Sequence, residues 1–118
     1  MNASIQIIED NLHLVWNETD ARIRLDAIKK IYASDASLYH IGDQVTGHDA
    51  INDSVTAVKH SLPPDFEFTL LKPAVVNHNL GRAIWAAGPV GKPPVAQGMD
   101  IAQIEDGKIK SLYVFLES

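Results

Sequence analysis

Residues 95–116 read VAQGMDIAQIEDGKIKSLYVFL. Two apolar runs flank Asp106-Gly107, a dipeptide that favours the tight turn of a hairpin. The stretch therefore predicts two long antiparallel strands, Val95 to Glu105 and Ile109 to Leu116. Strand alternation places Ala96, Gly98, Asp100, Ala102 and Ile104 on one face. That face is made of small and apolar side chains around a single carboxylate. Burying a lone carboxylate is costly unless it is paired or protonated, so Asp100 is singled out at once.

Working upstream, Gly91-Lys92-Pro93-Pro94 is a loop and Arg82 to Val90 another strand. Asn77 to Gly81 is a turn. Phe66 to Val76 reads as a strand interrupted by Pro73, which implies an edge position or a bulge. Before that the period changes. Gly47 to Leu62 predicts a helix with Ile51, Val55, Val58 and Leu62 on one face, ended by Pro63-Pro64. Ala36 to Ile41 and Gln44 to Thr46 form a short hairpin about Gly42-Asp43. Asp20 caps a helix whose apolar stripe is Ile23, Ala27, Ile28 and Ile31. Ile5, Ile8, Leu12, Val15 and Trp16 recur at helical spacing and give the first helix. Helices followed by antiparallel strands imply an α+β fold: a cone-shaped, curved antiparallel sheet wrapped around three helices, with a pocket between the layers.

Bulk properties agree with one domain spanning 1–118. The 118 residues are 46% hydrophobic and 21% charged, with a net charge of −5. An acidic chain without a run of Lys and Arg is not expected to bind nucleic acid. Without cysteine there is no disulfide and no thiolate chemistry. The five histidines, His13, His40, His48, His60 and His78, lack metal-ligand spacing, so neither a metal nor a cofactor is expected. Met1-Asn2-Ala3-Ser4 has no basic stretch ahead of an apolar core, and no apolar run approaches a membrane span. The expected location is cytoplasmic, with no membrane partner.

Trp16-Asn17-Glu18-Thr19-Asp20, Ile31 to Ala36, Gly47 to Ile51, Arg82 to Trp85 and Gly98 to Ile109 keep an order and spacing that resemble nuclear-transport-factor-2-like proteins. The resemblance covers nearly the whole chain and is narrower toward the polyketide-cyclase (SnoaL-like) and ketosteroid-isomerase branch. It implies the cystatin-like cone and a homodimer formed through the outer sheet face, where alternation puts Val95, Met99, Ile101, Tyr113 and Phe115. Ketosteroid isomerases use an Asp base, with a Tyr and a protonated Asp as oxyanion donors. By position, the oxyanion carboxyl falls on Asp100 and the base on His40. The Tyr donor falls on Trp16, and a supporting Tyr near Val55. One polar position is kept, one is changed to another base and two are lost, so the family's steroid isomerisation is not expected. Arg82 and Ile84 lack the Arg and Asp spacing of the epoxide-hydrolase branch.

The candidate catalytic pair is therefore His40 and Asp100, with Asp100 either orienting the imidazole and raising its pKa or, if protonated, donating to an oxyanion. Trp16, Val55, Ala83, Trp85 and Gly98 are candidate ligand-binding residues. Two functions fit. One is a proton-transfer isomerase, cyclase or dehydratase acting on a small apolar carbonyl compound. The other is a non-catalytic domain that binds a small hydrophobic molecule or serves as an accessory module.

Overall fold

The first amphipathic stretch forms α1 (Ala3–Asp10), which continues without a break as a π-helical segment over Asn11–Trp16. The computed structural model describes residues 3–117. The reading of Met1 and Asn2, and the last residue of the expected domain, lie outside the described residues. Ile8, Leu12, Val15 and Trp16 are all buried, as their spacing predicts.

α2 (Ala21–Ile31) starts where expected. Asp20 Oδ1 accepts the Arg22 backbone N–H at 2.9 Å, satisfying a free amide of the first turn. Its buried side differs from the expected stripe. Arg24, Ile28 and Ile31 face inward, whereas Ile23 is 55% exposed. α3 (His48–His60) buries Ile51, Asn52 and Val55.

The strands are β1 (Tyr32–His40), β2 (Asp43–Thr46), β3 (Phe66–Leu70), β4 (Val75–Asn77), β5 (Leu80–Pro89), β6 (Ala96–Glu105) and β7 (Lys108–Glu117). They form a seven-stranded sheet in the order β2-β1-β7-β6-β5-β3, with β4 also paired to β5. The expected Phe66 to Val76 strand is two strands, both on the outer side of β5. The chain leaves the ladder around Pro73, which has no N–H to donate. At the β6–β7 turn, Asp106 and Gly107 both take positive φ, 53° and 77°, as a type I′ hairpin requires.

The sheet is not antiparallel throughout. β1 pairs with β7 in parallel, from Tyr32↔Ile109 to Tyr39↔Tyr113. This pairing also explains why β1 starts at Tyr32 and not at Ala36. α1 lies against β5 where Gly81 leaves room. A Cβ there would stand 1.9 Å from Ile8 Cδ1. The helices cover one face of the sheet, and the cavity opens toward one end of that layer.

Candidate functional site

Four aromatic rings build the wall of an apolar cavity of about 450 Å³. His40 stands 6.2 Å from Trp16, Trp16 5.8 Å from Phe68, and Phe68 5.4 Å from Trp85, centroid to centroid. The last two pairs are edge-to-face, a favoured aromatic geometry. Leu12, Val58, Leu62, Ala87 and Val114 supply aliphatic lining, and Ile41 and Leu116 reach the exposed rim.

Local structure sets these rings. The π-helical segment ends at Trp16, and Asn17 follows it. The Asn17 side chain donates to the Phe68 carbonyl at 2.8 Å and accepts the Phe68 N–H at 2.7 Å. It thus pairs with edge strand β3 as a backbone would, and it fixes Trp16 beside Phe68. Single π-turns inside helices recur at functional sites. Trp85 lies opposite Gly98 in the β5–β6 register. Its indole covers that glycine so closely that a Cβ would stand 2.3 Å from the ring. The indole thereby reaches one pleat further, and Nε1–H donates to Asp100 Oδ1 at 2.9 Å.

Asp100 is 4% exposed, sits between Ala83 and Val114 in register, and contributes to the cavity lining. No cation pairs with it among the described residues. Burial pushes its carboxyl from 3.8 up to about 7, against a smaller downward pull from the Trp85 hydrogen bond. Near neutrality it is therefore in good part protonated. A neutral carboxyl can donate as well as accept.

Tyr32 is buried nearby, and its hydroxyl donates to Asn11 Oδ1 at 2.5 Å. Burial raises the Tyr32 pKa, and negative charge on Asp100 raises it further. Among the described residues the buried Trp16 indole nitrogen reaches no partner at hydrogen-bond geometry, but it is close enough to the Tyr32 hydroxyl to pull that pKa down. In the sequence Tyr32 is one residue of the Ile31 to Ala36 stretch. Its signal, a Tyr at the helix-to-strand junction, carries no direction without the fold.

His40 ends β1 at the cavity, half-buried. The expected bond to Asp100 is not formed, and the expected rise in pKa is reversed. Burial lowers the His40 pKa, opposed only by the charge of Asp43 across the hairpin. The imidazole is consequently neutral at physiological pH and able to accept a proton.

The expected ligand residues divide. Trp16 and Trp85 line the cavity, whereas Val55, Ala83 and Gly98 do not. Val55 is wholly buried in the core. Ala83 lies directly across from Asp100 but is packed over. Gly98 is hidden under the Trp85 ring. Right parity along a strand or helix brings a residue inward; it does not decide which inward positions remain uncovered. Phe68 was missed because the strand carrying it offered no partner to compare with. Among the described residues no cluster of His, Asp or Glu could hold a metal, and no helix is long and apolar enough to cross a membrane.

Solved structures share this fold. A candidate isomerase of the SnoaL-like family from Agrobacterium tumefaciens superposes with a TM-score of 0.89 at 23% identity, covering 100% of both chains. A candidate SnoaL-like polyketide cyclase from Jannaschia gives 0.81 at 11% identity, covering 98% of this chain and 85% of the other. A candidate ketosteroid isomerase from Kribbella flavida gives 0.75 at 10% identity, with 98% and 78% covered. At these identities the likeness shows the fold alone. No curated protein matches the chain. The sequence profile of the SnoaL-like domain matches residues 11–112, and the protein belongs to the SnoaL-like family within the nuclear-transport-factor-2-like fold.

Proposed function

We propose that this protein moves a proton on a small apolar carbonyl compound, in the manner of an isomerase or cyclase. One observation carries the reading: a carboxyl kept in good part protonated by burial opens into a mostly apolar cavity, where His40 and Ser61 are the other polar side chains besides the tryptophans. The carboxyl's one side-chain partner among the described residues is the Trp85 indole. The acid can donate a hydrogen bond to a carbonyl oxygen and strengthen that bond as the oxygen gains negative charge. Neutral His40 at the same cavity is the base. It takes the proton from the carbon next to the carbonyl, the C–H electrons become the enol double bond, and His40 returns the proton at another carbon. The aromatic wall excludes water and favours a flat, apolar substrate.

The test is exchange of α-protons of a small cyclic ketone in D₂O, followed by NMR. The expected result is acceleration over buffer, reduced about 100-fold in His40→Ala and at least as strongly in Asp100→Leu. Exchange no faster than in buffer would refute proton transfer. Binding of a phenol without any exchange would support the second reading, a non-catalytic pocket for a small hydrophobic molecule. That reading is favoured by the missing His40–Asp100 bond.

The protein is also proposed to work as a homodimer through the outer sheet face. Val95, Tyr113 and Phe115 are exposed there, and Tyr113 stacks on Tyr39 at 4.4 Å. A monomer in size-exclusion chromatography at micromolar concentration would refute this.

A further inference from the structure

A second cavity of about 570 Å³ lies on the far side of the Phe66–Phe68 wall, at the C-terminal end of α3. Its polar lining consists of Arg24, Lys59, His60, Thr19 and Thr56, and no carboxylate takes part. Arg24 is only 2% exposed. A buried guanidinium normally faces a carboxylate, because its charge cannot be neutralised by losing a proton. Here it does not. Nε donates to the Glu18 carbonyl at 3.1 Å, and Nη1 donates to Asn52 Oδ1 at 2.9 Å, Thr56 Oγ1 at 2.6 Å and the Asn52 carbonyl at 3.3 Å. All four acceptors are uncharged. Nη2 makes no hydrogen bond among the described residues, and the Arg24 side chain lines the groove.

We infer that this groove binds a small organic oxyanion, a carboxylate or a phosphate ester, between Arg24 and Lys59, with its carbon skeleton on Pro63 and Phe66. Arg24 and Thr56 line the groove, and Lys59 joins them from one turn further along α3. It donates one proton to the Trp16 carbonyl at 2.7 Å and has two left. Burial lowers the Lys59 pKa, and the positive charge of Arg24 lowers it further, so an anion between the two relieves a standing repulsion. The charge of Glu18 favours both cations and that of Asp20 favours Arg24, but one oxygen of each carboxylate is engaged elsewhere. Glu18 Oε2 accepts the Asp20 N–H at 3.0 Å, and Asp20 Oδ1 caps α2. The site stands independently of the proton-transfer reading, since it shares only apolar wall residues with the first cavity.

The test is NMR of the intact protein, titrated separately with inorganic phosphate and with hexanoate, chloride holding the ionic strength constant. Saturable shifts at the Arg24 side-chain N–H and at the Thr56 and Lys59 amides are expected. Lys59→Gln and Thr56→Val should each weaken binding about tenfold. Response to hexanoate alone identifies a carboxylate ligand; response to phosphate alone identifies a phosphate ester; either supports the site. No saturable shift beyond chloride, or unchanged affinity in both variants, overturns it.

Discussion

Among the described residues neither Asp100 nor Arg24, both buried and ionisable, has an ion-pair partner, and the fold treats them in opposite ways. Asp100 faces an apolar cavity and receives one hydrogen bond, from Trp85. Its carboxyl escapes the cost of a buried charge by keeping its proton, up to a pH of about 7. Arg24 has no such exit. Its cost is met by four carbonyl, amide and hydroxyl oxygens arranged around two of its nitrogens. The difference teaches what each site is suited to. The acid is a group whose charge state a ligand can change, and the guanidinium is a permanent charge held in place.

The comparison breaks most visibly through pH. Between about pH 4 and pH 7 the folded protein keeps the Asp100 proton that the unfolded chain has released. Stability therefore falls as pH rises through this window, by on the order of 4 kcal/mol, and then levels off. Asp100→Asn removes this contribution while an amide oxygen still accepts from Trp85. Urea denaturation at about pH 5 and about pH 8 should show the variant gaining on the wild-type protein at the higher pH. An equal difference at both would mean that Asp100 is not held neutral.

Arg24→Met should cost about 3 kcal/mol, because Asn52, Thr56 and the Glu18 carbonyl lose their donor. Unlike the Asp100 effect, this loss should be the same at both pH values. Arg24→Lys should recover little of it, since an ammonium cannot reproduce the planar fork. A full recovery with lysine would reduce Arg24 to a point charge.

The smallest effect sharpens the acid side. Trp85→Phe keeps an aromatic ring at this position but removes the N–H donor, together with the indole edge that covers Gly98. Stability should drop by about 1 kcal/mol. A carbon-13 NMR titration of the Asp100 carboxyl should place its pKa above the wild-type value of about 7, because the one group pulling it down is gone. An unchanged titration would mean that burial alone sets it.

Much of this was legible in the chain. The 95–116 hairpin turned at Asp106-Gly107 as read, and α1 buried its apolar stripe, because both signals are local. Asp100 stood out because a carboxylate amid small, apolar alternating residues is costly wherever the strand is buried. Arg24 was passed over in favour of Ile23, although it lies four residues before Ile28 and seven before Ile31, on the same helical face. Hydrophobicity ranks an arginine last for such a face, and only the oxygens of Asn52 and Thr56 on α3, with the Glu18 carbonyl, make its burial affordable.

The sequence by itself determined the order of elements, the inward parity of β6 and the presence of one awkward acid, since these rest on spacing along one segment. The tertiary structure alone decided the rest: the parallel β1–β7 seam, the π-turn that presents Trp16, the separation of His40 from Asp100, and which inward residues stay uncovered. Those features depend on contacts between segments far apart in the chain, and periodicity within a segment carries no information about what will face it.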